Sequence, residues 1–142
     1  MKRDKYDAIF SDCIRIRENQ CERCELQFPD FPQVRDKNFQ CSHFISRGHA
    51  STRFHPNNCF ALCGGCHLIL GRDPAEHYEF VLGKLGPVLL DDLRAKKHKP
   101  CRRRKADMAK LLAHYKDEFE RLNRLRREGN EGRLEFEGFG EF

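Results

Sequence analysis

The sequence has no apolar run long enough to cross a membrane. Its richest apolar segment, residues 80–90, is interrupted by Lys84 and by the Gly86–Pro87 pair, whereas a membrane-spanning helix needs about 20 consecutive apolar residues. The first residues, MKRDKYDAIF, also lack the apolar segment of a secretory signal peptide. We therefore expect no membrane partner and a reducing, cytoplasmic environment.

Apolar residues are also scarce relative to charged ones. Hydrophobic residues make up 39% of the 142 residues and charged residues 35%, which predicts one domain with a modest core. A small core often depends on an additional staple such as a structural metal ion. Basic residues crowd residues 94–105, whereas residues 128–142 are acidic. The basic stretch favours a polyanionic partner, nucleic acid first, over a merely solvated loop.

Two of the cysteine spacings are typical of a metal site. The first Cys-x-x-Cys pair is Cys21 and Cys24, and the second is Cys63 and Cys66. Four thiolates form a closed tetrahedral zinc site, which stabilises the fold and offers no open position for catalysis. We predict one structural Zn²⁺ here, the alternative being four unliganded thiols. The remaining cysteines are expected to be small buried residues or free thiols: Cys13, Cys41, Cys59 and Cys101.

The periodicity of apolar residues predicts an α+β fold. Two strands are expected over residues 39–45 and 59–62, joined by a polar loop. Helices are expected over residues 4–18 with Asp4 as the N-cap, from Asp73 and Pro74 to a break at Gly86–Pro87, over residues 88–93, and over residues 104–127. The apolar stripe of the last helix would serve either core packing or the seam of a homodimer.

The composition divides the chain into three parts. Residues 1–93 would form the zinc-stapled core, and residues 94–127 the basic stretch with the long C-terminal helix. Residues 128–142, rich in glutamate and glycine, are expected to be disordered. Their alternation of acid and aromatic residues suggests an element that covers the basic stretch or docks on a partner protein, with a solubilising tail as an equal alternative.

Three polar residues between the cysteine pairs carry the candidate chemistry. His43 is the candidate general base, because a neutral imidazole can take a proton from water, although a histidine on a strand is more often structural. His67 directly follows the second cysteine pair and is the candidate ligand of a catalytic divalent cation, or else a residue beside the zinc. Asn58 would either hold the loop that aims His43 or contact that cation.

Arginines supply the candidate phosphate contacts. Arg53 and Arg47 lie in the polar loop after His43, and a guanidinium can bind a phosphate through two hydrogen bonds. We favour Arg53 as a catalytic clamp, because the Phe54-His55-Pro56 segment would hold its loop, and we assign Arg47 to substrate binding. The basic stretch adds three candidate contacts: Arg102, Arg103 and Arg104.

These positions together resemble the HNH (ββα-metal) endonucleases. Over about the first half of the chain, the resemblance rests on Cys21, Cys24, His43, Asn58 and the LCGGCH sequence of residues 62–67. The SHFISR stretch at residues 42–47, the TRF stretch at residues 52–54 and the charged C-terminal helix are similar to one branch of that family, the lambdoid phage recombination endonucleases called NinG (Rap).

The resemblance implies a ββα-metal fold with two strands and a helix around one divalent cation, Mg²⁺ or Mn²⁺. It implies hydrolysis of DNA phosphodiesters, with His43 activating water and His67 helping to hold the cation. It also implies branched recombination intermediates, such as four-way junctions, as substrates, in the host bacterial cytoplasm if a phage encodes the chain. Many HNH enzymes have Asp or His immediately before the base. Here Ser42, a poor Mg²⁺ ligand, stands there, so Gln40, a loop histidine, water or substrate would have to complete the shell.

Two other functions compete with this interpretation. The first is a non-catalytic, zinc-stapled DNA-binding module with a decayed HNH site, which the serine at position 42 supports. The second is a nickase of duplex DNA that acts with a packaging or replication machine. The residues do not distinguish the shapes of DNA substrates, so these alternatives stay open at this stage.

Overall fold

A computed structural model describes residues 1–140 of the protein, which form five α-helices and one sheet of two antiparallel strands. The elements are α1 (Lys5–Glu18), β1 (Phe39–His43), α2 (Ala50–Arg53), a 3-10 turn (Pro56–Asn58), β2 (Cys59–Cys63), α3 (Gly64–Arg72), α4 (Pro74–Lys96) and α5 (Lys105–Arg127). The predicted α+β class is confirmed. Within the described part of the chain, no helix is both long enough and apolar enough to cross a bilayer.

Helix α1 begins at the predicted N-cap. The Asp4 carboxylate accepts hydrogen bonds from the backbone N–H groups of Tyr6 and Asp7, and the Asp7 carboxylate accepts one from the N–H of Asp4. This reciprocal arrangement satisfies N–H groups that a helix start would otherwise leave unpaired. The helix ends at Asn19, which adopts the left-handed conformation with φ of 51° that is common just after a helix.

The two strands pair with His43 opposite Cys59 and Cys41 opposite Ala61. Strand β1 is two residues shorter than predicted. After His43 the N–H of Ile45 no longer faces β2, because it donates to the Asn58 side chain at 2.7 Å. The connection that was predicted as a polar loop contains helix α2 and the 3-10 turn.

Helix α4 contains the predicted break at the Gly86–Pro87 pair. Gly86 has φ of 79° and ψ of 166°, a conformation open to glycine because it has no Cβ, and Pro87 begins the second half of the helix. At its start, the Asp73 side chain accepts from the N–H of Glu76 at 3.1 Å and Pro74 occupies the first turn, as the sequence predicted.

Helix α5 packs on α1 through its apolar stripe. Leu111, Tyr115 and Leu122 are fully buried, and the Cys13 thiol on α1 donates to the Tyr115 carbonyl at 3.3 Å. Core packing is therefore the use of this stripe, and the buried residues do not support a homodimer through α5. Because one buried cluster joins α1, the sheet, α4 and α5, the predicted parts 1–93 and 94–127 share a core.

The prediction of a disordered tail is wrong for residues 128–140. Phe136 is only 7% exposed, and its ring lies 6.3 Å from that of Phe10 and 6.1 Å from that of Tyr115. The guanidinium of Arg17 lies 5.5 Å from the centre of the same ring. Although this segment is polar, it can fold because it covers an apolar gap in the core that is already formed.

Backbone hydrogen bonds fix the same segment. The N–H of Leu134 donates to the carbonyl of Arg17 at 2.9 Å, and the N–H of Phe139 donates to the hydroxyl of Tyr115 at 3.0 Å. Phe136 and Phe139, the phenylalanines of this tail within the described residues, are thus held against the core. Residues 141–142, the end of the predicted acidic docking element, lie outside the described residues.

Candidate functional site

The four cysteines of the two Cys-x-x-Cys pairs, which are called knuckles below, meet in one cluster. The sulfur atoms of Cys21, Cys24, Cys63 and Cys66 all lie within 4.8 Å of one another. The sulfurs of Cys24 and Cys63 are 3.7 Å apart, and tetrahedral Zn–S bonds of about 2.3 Å require an edge of about 3.8 Å. The cluster is close enough to hold a metal ion and is compatible with structural zinc, as the sequence predicted.

Hydrogen bonds to the sulfurs prepare this cluster for a cation. The N–H of Cys24 points at the sulfur of Cys21, and the N–H of Cys66 points at the sulfur of Cys63, both at 3.5 Å. The guanidinium of Arg23 donates to the sulfur of Cys66 at 3.5 Å. Burial alone would raise the pKa of the Cys21 thiol, but hydrogen bonds from nearby N–H groups lower it to about 7, which favours the thiolate that binds metal. Burial raises the pKa of the Cys66 thiol to about 12, so a bound metal ion has to displace that proton.

Glu22 holds the first knuckle against the sheet. Its backbone N–H donates to the carbonyl of Ala61 at 2.8 Å, and its carboxylate accepts from the N–H of Ala61 at 2.7 Å. Its side chain is fully buried and pairs with Arg17 at 3.7 Å and with Lys84 at 3.7 Å. The sequence gives no signal for this role, because Ala61 and Lys84 are distant from Glu22 along the chain.

A cavity of about 380 Å³ opens beside the sheet. Its lining residues are Arg3, Asp7, Ser11, Cys41, His43, Ser46, Arg47 and His67. The structure therefore brings both predicted histidines to the walls of one cavity. His43 reaches it from the end of β1, and His67 from the first turns of α3, which directly follows β2.

The imidazole of His43 is fixed in orientation. Its Nε2 lies 2.9 Å from the backbone carbonyl of Arg53. A carbonyl can only accept, so Nε2 carries the proton and Nδ1 remains an acceptor. Burial lowers the pKa of His43, although the bond to the Arg53 carbonyl and the charge of Asp7 act in the opposite direction. The ring is therefore neutral at pH 7 and can accept a proton.

His67 is oriented by Gln40. The Nδ1 of His67 lies 2.7 Å from Oε1 of Gln40, so Nδ1 donates and Nε2 is left as an acceptor. Burial lowers the pKa of His67, which keeps the ring neutral. Gln40, considered above as a metal ligand, therefore orients His67 instead. Within residues 1–140, no group of three or more His, Cys, Asp or Glu ligands of metal-site size includes His67.

Asn58 holds the chain that follows β1. Its side chain is completely buried, donates to the carbonyls of Ile45 at 2.9 Å and Thr52 at 3.0 Å, and accepts from the N–H of Ile45. Of the two roles predicted for Asn58, the geometry supports holding the loop. Its amide is buried and does not line the cavity, so it holds the chain that follows His43.

The guanidinium of Arg53 is already bound to carboxylates. It donates to both oxygens of Asp7, at 3.0 and 2.6 Å, and to Asp4 at 3.2 Å, and its side chain is 16% exposed. This pairing leaves Arg53 poorly placed for the predicted phosphate clamp. Arg47 also donates to Asp7, at 3.2 Å, but it lines the cavity and is the better placed of the two for a substrate.

Asp7 is the site residue that sequence reasoning missed. It is 5% exposed and lines the cavity beside His43. Burial opposes its ionisation, but hydrogen bonds from Arg53 and from the N–H of Asp4, with the Arg53 charge, lower its pKa to about 2. The available signal was the Asp4-x-x-Asp7 capping box, which marks a helix start and not the contact with Arg53.

Basic cavities flank the central one. One, of about 440 Å³, shares Cys41 and His67 with it, and the other, of about 750 Å³, shares Ser46. Their basic lining residues are Arg3, Arg15, Arg35 and Lys37 in the first, and Arg94 and Lys97 in the second. Basic side chains thus line the cavities on both sides of His43 and His67, together with Asp36 and Asp91, and this region is called the basic surface below.

The three arginines of the basic stretch differ in their surroundings. Arg103 donates to the carbonyl of Ala50 at 3.0 Å and lies over the ring of Phe54 at 5.5 Å, so it holds α2 in place. Arg102 is exposed. The side chain of Arg104 donates to the Asp107 carboxylate at 3.3 Å, but it is 82% exposed at the start of α5. Arg102 and Arg104 are therefore available to a partner, whereas Arg103 is largely structural.

Comparisons with known proteins do not add a family to these observations. A scan against protein-family models, a search of curated proteins and a search of solved structures each found no match.

Proposed function

We propose that the protein is a metal-dependent DNA endonuclease of the HNH (ββα-metal) type that hydrolyses phosphodiesters. The order of β1, β2 and α3 supports this proposal, since it brings His43, Asn58 and His67 to one region. The observation that carries it is His43, a neutral imidazole whose Nε2 is held by a backbone carbonyl while Nδ1 is left to accept a proton.

In this proposal His43 takes the proton of the attacking water. A positioned general base typically contributes about 10²–10⁴-fold to rate. The resulting imidazolium would lie near the buried carboxylate of Asp7, whose charge favours the protonated ring. Asn58 keeps Ile45 in place and so holds the chain just after His43.

His67 would contribute Nε2 to a Mg²⁺ or Mn²⁺ ion, which would supply positive charge beside the scissile phosphate. The described residues give this ion few protein ligands. Mg²⁺ commonly keeps several waters and binds substrate phosphates directly, so a sparse set of protein ligands is compatible with such an ion. The proposed role of the chain is to orient His67 through Gln40.

The basic surface past the cavity would hold the DNA backbone. Arg3 and Lys37 line it and form no salt bridge within the described residues, whereas Arg47 is shared with Asp7. Arg102 and Arg104 would extend the contact. We propose branched recombination intermediates as the substrates and the cytoplasm as the location, on the resemblance given above.

One observation favours a second function, a non-catalytic DNA-binding module. His67 lacks partner ligands of metal-site size among His, Cys, Asp and Glu side chains of the described residues. A nuclease site that had lost its acidic ligand would look like this, while the zinc cluster and the basic surface would still serve DNA binding.

Cleavage and binding measured on the same substrates distinguish the two functions. Purified protein is incubated with plasmid and four-way junction DNA, with and without Mg²⁺ or Mn²⁺, and binding is followed by fluorescence anisotropy. His43→Ala should lower the cleavage rate by about 10²-fold or more and leave binding nearly unchanged. His114→Ala is the matched control, because His114 lies on α5 and lines none of the three cavities described above.

Metal-dependent cleavage that fails in His43→Ala and survives in His114→Ala is the expected result. DNA binding without cleavage of either substrate would replace the enzyme with the binding module. Wild-type cleavage by His43→Ala would overturn the assignment of the base. Preference for the junction over the plasmid would favour recombination intermediates over duplex nicking.

A further inference from the structure

A second group of metal-ligating side chains lies on the sheet. His43 and Cys59 are directly opposite in the strand register, and Cys41 is two residues before His43 on the same strand, so all three share one face. Their ligand atoms all lie within 4.8 Å of one another. None of these residues belongs to the zinc cluster of the knuckles.

The chemistry of this trio suits a soft cation. Two thiols and one imidazole are typical ligands of Zn²⁺ and poor ligands of Mg²⁺. Zn–S bonds of about 2.3 Å and Zn–N bonds of about 2.0–2.1 Å require separations of about 3.5–3.8 Å between these tetrahedral ligands. Because the three ligand atoms lie within 4.8 Å of one another, each separation exceeds these values by at most about 1 Å, a distance that a small change in side-chain rotation covers.

The surroundings of the trio also resemble a metal site. A metal-bound histidine almost always donates its other ring N–H to a carbonyl or carboxylate, and Nε2 of His43 does so to the carbonyl of Arg53. Cys59 is fully buried, whereas Cys41 and His43 reach the cavity. The cavity therefore gives an ion a route of entry and a fourth, open position.

We propose that Cys41, His43 and Cys59 form a second metal site, which binds a thiophilic divalent cation such as Zn²⁺ and leaves one coordination position open to the cavity. On binding, each thiol releases its proton to solvent and nothing is oxidised. The sequence indicated neither cysteine as a ligand, because neither belongs to a recognisable metal-binding spacing.

The site has a consequence that rests on the proposed nuclease function. Nδ1 of His43 is the atom left to accept the proton of water, and it is also the atom left to bind the ion. An ion at the trio therefore blocks the general base, so Zn²⁺ inhibits cleavage that Mg²⁺ or Mn²⁺ supports. Occupancy of the trio would couple nuclease activity to free zinc.

Metal binding is tested first, without reference to activity. Protein that carries its knuckle zinc is titrated with Co²⁺ under a phosphine reductant, and thiolate-to-cobalt absorption is recorded alongside total metal by mass spectrometry. Wild type should hold two thiolate-bound metal ions per chain. Cys41→Ser, at a half-buried position, should hold one, as should Cys59→Ala. Cys101→Ser, a half-buried cysteine remote in sequence from both clusters, should still hold two.

The outcomes of this titration either support or overturn the second metal site. A single metal ion in folded wild type, or two in folded Cys41→Ser, overturns the site. Loss of the second ion only when the reductant is omitted would show that Cys41 and Cys59 form a disulfide under oxidising conditions, and the reduced protein would still bear out the site. Circular dichroism of each variant separates lost binding from lost folding, and Cys41→Ser serves if Cys59→Ala does not fold.

Inhibition is tested second. The Zn²⁺ concentration for half-inhibition of Mg²⁺-dependent cleavage should rise at least about tenfold in Cys41→Ser, the lower range for weakening a metal site, and stay unchanged in Cys101→Ser. Two bound metal ions with no cleavage at all would leave the metal site standing and remove the nuclease. Cleavage that Zn²⁺ inhibits equally in wild type and Cys41→Ser would overturn the link between the site and the base.

Discussion

Replacing Asn58 by alanine should destabilise the protein by removing the hydrogen bonds that hold the end of β1. The N–H and the carbonyl of Ile45 bind only the Asn58 side chain among the described residues. The carbonyl of Thr52 also loses a bond from Asn58, but it keeps one from the N–H of His55 at 3.1 Å. The substitution therefore leaves two backbone groups of a buried residue unpaired.

The magnitude follows from these two groups. An unpaired buried donor or acceptor costs about 1–3 kcal/mol, so Asn58→Ala should lower the free energy of unfolding by about 2–6 kcal/mol, centred near 3–4. A domain of this kind has about 5–15 kcal/mol in total. Asn58→Asp keeps the acceptor for Ile45 but loses both donors, and it should also be clearly destabilised.

Asn57→Ala is the matched control. Asn57 precedes Asn58 in the same 3-10 turn, and its side chain forms no hydrogen bond within residues 1–140. It should therefore lower stability by less than about 0.5 kcal/mol, as surface substitutions usually do. The assay is urea unfolding of zinc-loaded protein, followed by far-UV circular dichroism. Equal losses in Asn57→Ala and Asn58→Ala would refute the role given to the buried amide.

Three further predictions concern the zinc, the buried carboxylate and the tail. Chelation of metal, or Cys24→Ser, should unfold the region around β2, because structural zinc contributes about 10–16 kcal/mol in small domains; metal-free protein with an unchanged circular dichroism spectrum would contradict this. The pKa of Asp7 is lowered from 3.8 to about 2. Its carboxylate therefore adds about 2 kcal/mol to the free energy of unfolding, which is fully present above pH 4 and is lost as the pH falls towards 2. Asp7→Asn should remove the fall of the urea midpoint at low pH, whereas the exposed control Asp117→Asn should not. Equal acid sensitivity of the two variants would exclude Asp7 as the source of this pH dependence. Phe136→Ala should lower the free energy of unfolding by about 3 kcal/mol, because it leaves a cavity in the core. Phe139→Ala, at a half-buried position, should lower it distinctly less. Unchanged stability in both variants would mean that the tail is not part of the core.

Local features of the fold could be read from the sequence. The start of α1 at Asp4, the Asp73–Pro74 start of α4 and the break at Gly86 were all predicted correctly, because caps and glycine conformations depend on residues a few positions apart. The pairing of the two knuckles was predictable as well, since four thiolates at those spacings have few other uses.

Contacts between distant residues were decided only by the tertiary structure. Arg53 and Asp7 are 46 positions apart, and their pairing depends on how α1 packs beside the sheet. The meeting of Cys41, His43 and Cys59 depends on strand register, since a shift of one residue would turn β1 over and separate them. The tail was predicted to be disordered because its own composition cannot form a core. It folds because α1 and α5 leave a gap that Phe136 fills.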